Sequence, residues 1–300
     1  MDEEQRAALR WRGQDFIRKF LGLAEGARDL MDAMDQVIEP GARCHLQNGD
    51  IAPPAVAMQH AASTQRVFPD LELEFEEGLF PDDRIVMRVR LTGTARGRSP
   101  LSAMGGHFDV QSAFIARITP DLTVNELWSY MNPGFAFSFP ARGTRVLPPP
   151  RDAATETHAR ALYDSWVRSA EAGEDFVRSV ATSLAPPAEG PEGHDGGVVH
   201  LGNGDVGGVA VLEDIFDRIA RGLHDLSIEI DDVMFDGPYV IAPFSMSGLH
   251  RGPIGLLPPT GKRLPSSGAL FARADEASRA AEVWLYVAPA YAATFPPGRR

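Results

Sequence analysis

The sequence is short of cysteine, of lysine and of long apolar runs, and each shortage closes off a class of protein. Cys44 is the single cysteine, so an internal disulfide and a cysteine-cluster zinc or iron–sulfur site are both excluded. Lys19 and Lys262 are the only lysines, which leaves Schiff-base chemistry almost without candidates. No apolar run reaches the roughly 18 residues of a membrane helix, so no spanning segment is expected. Positive charge is also scarce: 29 Lys and Arg face 41 Asp and Glu, a net charge of -12. Both halves share the acidic excess, and neither carries the basic stripe that phosphate neutralisation requires. No nucleic-acid partner and no anionic membrane surface is therefore expected. The spacings of metal-ligating histidines and of phosphate-binding glycine loops are missing, so the chain is expected to work with no metal and no cofactor. The opening stretch MDEEQRAALRWRGQ has no apolar core of a secretory signal. With the lone cysteine, this points to a cytoplasmic location.

What is present is an ordinary globular composition, 44% hydrophobic and 23% charged over 300 residues. That length suits one large domain or two of about 150 residues, and an internal repeat decides between them. His45-Leu46-Gln47-Asn48-Gly49-Asp50 recurs as His200-Leu201-Gly202-Asn203-Gly204-Asp205, an offset of 155. Leu73-Glu74-Phe75-Glu76-Glu77 faces Ile228-Glu229-Ile230-Asp231-Asp232 at the same offset, and Gly93 to Gly97 faces Gly248 to Gly252. After one inserted residue the offset is 156: Arg117 faces Arg273, and Trp128-Ser129-Tyr130 faces Trp284-Leu285-Tyr286. A period this long means that each repeat is a whole domain. Pro148-Pro149-Pro150 reads as a stiff spacer. The expected domains are thus 1–150 and 151–300.

Each repeat shows the same order of elements. Apolar residues at helical spacing predict helices over 14–24, 26–38 and 55–67, and over 157–170, 175–184 and 206–223. Alternating runs predict strands over 71–77, 84–92, 108–117 and 124–130, and over 226–232, 239–247, 266–273 and 281–287. Pro243 predicts an edge or a break in its strand. Helices followed by a run of strands is an α+β pattern with an antiparallel sheet.

Ser247-Gly248-Leu249-His250-Arg251-Gly252 and Pro258-Pro259-Thr260-Gly261-Lys262-Arg263 in the second repeat, with Phe68-Pro69-Asp70, Asp83-Arg84-Ile85-Val86-Met87-Arg88 and Asn125-Glu126-Leu127-Trp128 in the first, resemble the SnoaL-like polyketide cyclase family. The resemblance covers some 120 residues of each repeat and implies the nuclear-transport-factor-2-like fold. That fold is a tandem pair of cones here, each a curved antiparallel sheet and three helices around a pocket. It also implies that the two repeats pack sheet to sheet as an intramolecular pseudo-dimer. The activity it implies is cofactor-free acid–base chemistry, an intramolecular aldol closure or isomerisation, on a hydrophobic carbonyl-bearing small molecule. The family's catalytic acid sits about three positions before the arginines matched by Arg117 and Arg273. Those positions are Phe114 and Leu270. A non-catalytic small-molecule-binding module is therefore the alternative, and an epoxide hydrolase-like site of Asp70, Arg88 and Asp109 is a second one.

The candidate catalytic residues are His107, Asp109 and Glu126. His107 and Asp109 are two apart on a strand and share a face, where a carboxylate-held imidazole makes a general base. Alternation sets Phe108, Val110, Ser112 and Phe114 on the other face. Glu126 shares its face with Trp128, where burial would raise its pKa. His45 and His200 read either as structural partners of the Asn-Gly-Asp turn or as proton relays. Arg88 and Arg90 share a face and read either as solvated or paired with the acids Glu74 and Glu76, or, for Arg88, as a fork for a carboxylate or enolate oxygen. His60, Phe114 and the aromatic pairs Trp128, Tyr130 and Trp284, Tyr286 complete the expected substrate-binding set.

Overall fold

The computed structural model describes residues 38–46, 51–56, 69–94, 107–121, 123–130, 151–173, 175–187, 196–254 and 257–287, with isolated positions 4, 7, 8, 11 and 149. The helices expected over 14–24, 26–38 and 55–67 lie essentially outside this set, as does most of the triple-proline spacer. The chain divides into two compact units. Unit one is Met1–Phe137 with Pro296–Arg300, and unit two is Ser138–Phe295.

Among the described residues unit one has six strands: β1 (Ile38–His45), β2 (Ile51–Ala52), β3 (Glu72–Leu79), β4 (Arg84–Thr94), β5 (His107–Ile118) and β6 (Val124–Ser129). Their order is β2-β1-β6-β5-β4-β3. Strands β3 to β6 form an antiparallel meander, and β1 joins β6 in parallel. The alternation that predicted β4 and β5 sorts their side chains. Met87, Val89, Leu91, Val110 and Phe114 stand buried on one face. Arg84, Arg88, Arg90, Asp109 and Arg117 stand on the other. Strand β3 forms one end of the ladder and is dense in Glu, which guards an exposed edge against stray pairing.

Unit two contains α1 (Glu156–Glu171), α2 (Phe176–Ser183), β7 (Val198–Leu201), β8 (Val206–Gly207), α3 (Val209–Gly222), β9 (Leu223–Ile230), β10 (Met234–Asp236), β11 (Tyr239–His250), β12 (Arg263–Ala274) and β13 (Ala280–Val287). Helix α1 starts at Thr155, whose amide donates to His158 Nδ1 at 3.0 Å, and buries Ala159, Leu162 and Trp166 along one stripe. Asp175 caps α2 by accepting from the Arg178 amide at 2.8 Å. Phe176 of α2 packs on Phe244 of β11, ring centroids 5.9 Å apart. This places α2 on the sheet face that carries Val240, Phe244, Leu270 and Leu285.

The seven strands run β10-β11-β12-β13-β7-β8, with β9 also paired to β11. The two sheets thus repeat one plan: a three-strand antiparallel centre, then a parallel strand carrying the histidine, then a two-residue hairpin partner.

Three expectations are corrected here. The cone with a curved sheet closed on its helices is not what the chain builds, because each sheet is an open ladder, neither curled nor closed. Closure requires the first and last strands to pair, and the ladders instead end at two- and three-residue strands or at acidic β3. The sheets are also mixed rather than antiparallel, since β1 and β7 lie parallel to β6 and β13. Pro243 neither breaks β11 nor ends the sheet. It pairs with Ala269 on one side, and on the other it falls between the last β9 partner, Phe244, and the first β10 partner, Ile241. A residue without an N–H fits that gap at no cost in hydrogen bonds.

Candidate functional site

The repeated residues converge on one constellation per unit. In unit one the parallel pairing of β1 with β6 sets His45 beside Trp128, and the antiparallel pairing of β5 with β6 sets Arg117 opposite Glu126. His45 Nε2 lies 2.8 Å from Glu126 Oε1, and Arg117 donates to Glu126 Oε2. The imidazole stacks on the Trp128 ring, centroids 4.6 Å apart and planes within 10°. The guanidinium of Arg84 lies 5.5 Å from the centre of the same ring, and that of Arg117 5.8 Å.

Unit two rebuilds the same cluster from His200, Glu282, Arg273 and Trp284. Arg273 Nε donates to Glu282 Oε2 at 2.7 Å, and His200 stacks on Trp284 at 5.1 Å and 9°. Here His200 Nε2 is 3.6 Å from Glu282 Oε1, farther than in the unit-one pair. Burial pushes the Glu282 carboxyl up, but His200 and Arg273 together outweigh it and hold the group below the usual carboxylate value. Arg273 is only 3% exposed in its side chain and also lies 3.8 Å from Asp152. The turn after His200 satisfies itself: Asn203 Oδ1 accepts from the Asp205 amide at 3.1 Å, and Gly204 supplies the positive φ of 89° that the turn needs.

The other candidates are dispersed. Asp109 is held by Arg90 through two hydrogen bonds, one of 2.7 Å from Nε. Those bonds hold its carboxyl below the ordinary value despite partial burial. His107 is exposed on the same face. Arg88 is buried and bonded to Glu77. Arg90 approaches Glu74 at 3.9 Å, one of the cross-strand pairings expected from the sequence. Asp70 accepts from the Thr94 amide, so Asp70, Arg88 and Asp109 are engaged separately and do not surround one point. Phe114 stands on the opposite, apolar face of the sheet. Tyr130 and Tyr286 are buried, the latter edge-on to Phe271 at 5.4 Å. His60 lies outside the described residues. Cys44 is buried, and burial pushes its thiol up, which makes it a poor nucleophile. Among the described residues no group of three or more His, Cys, Asp or Glu is placed to hold a metal ion, and no helix is long and apolar enough to cross a membrane.

The Arg–Glu half of each cluster was within reach of sequence reasoning, since Arg117 and Arg273 recur at the repeat offset. Its partnership with histidine was not. It depends on a parallel strand pairing between residues about 80 positions apart.

No protein-family model matches this chain, nor does any curated protein. Solved structures resemble part of it. AclR of Streptomyces galilaeus, a candidate hydroxylase, is 19% identical over 40% of this chain and 88% of its own, with a TM-score of 0.35. IdmH of Streptomyces antibioticus, a candidate polyketide cyclase, is 20% identical over 39% of this chain and 89% of its own, with a TM-score of 0.35. A SnoaL-like candidate polyketide cyclase from Jannaschia sp. CCS1 is 22% identical over 39% and 83%, with a TM-score of 0.33.

Proposed function

We propose that this chain binds a hydrophobic small molecule on the apolar face of the unit-one sheet, without performing chemistry on it. The sorting of side chains on that sheet supports the reading. Every ionisable residue of β4, β5 and β6 stands on the other face, and all but exposed His107 are tied into ion pairs. The face left over is apolar and includes Phe114, the position at which the resemblance to SnoaL-like cyclases implies an acid. On β4, β5 and β6 that face offers no titratable group, so it can bind an apolar molecule but has nothing there to exchange protons with.

The motif resemblance makes polyketide-like ketones the compounds to test. Calorimetry against a panel of such ketones, with mass spectrometry of the recovered compounds, is expected to find binding and unchanged ligand. Turnover of any bound ketone overturns the reading.

A second reading is cofactor-free cyclisation or isomerisation with His45 as the base. Its support is the 2.8 Å contact of Nε2 with Glu126, which would fix the tautomer and leave Nδ1 to take a proton. Deuterium incorporation at the α-carbon of a bound ketone, lost in His45→Asn, is its signature. No incorporation with either protein favours the binding reading.

A further inference from the structure

Ser112 is fully buried on the apolar face of β5, and its Oγ has no hydrogen-bond partner among the described residues. It sits between Val110 and Phe114 along its strand and directly opposite Val89 of β4. A buried hydroxyl without a partner is costly, and native proteins keep such a group where something outside the chain satisfies it. Valine or alanine would fill the position at no such cost.

The second unit fills the corresponding position differently. At the repeat offsets Val89 corresponds to Phe244 and Ser112 to Gly268, and these two again face each other in register. The Phe244 ring lies over Gly268. A Cβ added to Gly268 would be 2.4 Å from Phe244 Cζ and 2.7 Å from the Tyr286 carbonyl oxygen. The glycine is required by the ring, and the ring's outer side packs on Phe176 of α2. Unit two therefore fills with an aromatic ring, and no polar atom, the place where unit one presents a hydroxyl beside a smaller valine.

We infer that unit one carries a ligand subsite organised by Ser112, which donates a hydrogen bond to the single carbonyl oxygen of an otherwise apolar, ketone-bearing ligand, and that Phe244 closes the corresponding place in unit two. This rests on the binding reading above and names its ligand class and its polar anchor. One hydrogen bond in an apolar site selects strongly, because a ligand lacking the oxygen leaves the hydroxyl unpaired.

The test uses the full chain and two naphthalenes of nearly equal shape, acetylnaphthalene and ethylnaphthalene, which differ in the carbonyl oxygen. The wild type is expected to bind the acetyl compound about 10-fold more tightly. Ser112→Ala should abolish that preference while leaving the melting temperature of the free protein unchanged or raised, since the unpaired hydroxyl is gone. A hydroxyl kept for structure would lower it. The double variant Val89→Phe with Ser112→Gly installs the unit-two pair in unit one and should remove binding of both compounds with the fold retained by circular dichroism. An undiminished acetyl preference in Ser112→Ala, or wild-type binding by a folded double variant, overturns the subsite. Binding of neither naphthalene by the wild type at millimolar concentration overturns the binding reading itself.

Discussion

Two carboxylate–arginine pairs, Glu282 with Arg273 and Asp109 with Arg90, differ in how much breaking them should cost. Glu282 is buried with Arg273, whose side chain is 3% exposed. Truncating the arginine strands a buried negative charge, so Arg273→Ala should destabilise unit two by about 3–5 kcal/mol, read from the urea midpoint. Asp109 and Arg90 are both nearly half exposed, 44% and 46%. Solvent screens such a pair, and Asp109→Asn should cost no more than about 1 kcal/mol. The depressed pKa of Glu282 also fixes a sign. Its stabilising contribution is complete above the ordinary carboxylate pKa and is lost as pH falls through its lower value in the folded chain. A midpoint that is flat with pH below about pH 4 in wild type would contradict this.

At the scale of elements, the end of the β11–β12 pair holds a buried imidazole, His250, in a neutral-demanding setting. His250 is fully buried, its Nδ1 accepts from the Thr260 amide at 3.3 Å, and its amide donates to Lys262 across the turn. An acceptor nitrogen there must be unprotonated. Burial pushes the ring's pKa down, against a backbone contact with Gly252 that raises it. The unfolded chain therefore takes up a proton before the folded one. Stability conferred by this group is present above about pH 6.5 and lost as pH falls toward the folded value. Denaturant midpoints should thus drop between about pH 7 and pH 5, and His250→Asn, whose oxygen can accept from Thr260, should flatten that drop.

For the whole molecule, two units whose sheets share one strand plan have different residues at matching positions. Phe244 over Gly268 occupies in unit two the place that Val89 and Ser112 hold in unit one. The expected stoichiometry is therefore about one ketone per chain by calorimetry, despite two homologous sheets. Two equivalent sites would show that Phe244 does not close its unit. Most strands were legible from alternation, because a buried face and a polar face write themselves into period two. The face of Asp109 was legible in the same way. Its bond to Arg90 rather than to His107 was not, because it arises across the β4–β5 ladder.

The amino-acid sequence alone determined the duplication, its offset, the order of elements and the acidic, metal-poor composition, since these are local or self-comparing properties of the chain. Only the tertiary structure decided that the sheets stay open and that β1 and β7 join in parallel. It also decided that each histidine meets a glutamate and a tryptophan about 80 residues away, and that one serine hydroxyl is left buried without a partner. Those outcomes depend on which strands end the ladder and on which side chains meet across it. Contacts between distant residues leave no periodic trace in the sequence, so they become visible only when the strands are laid side by side.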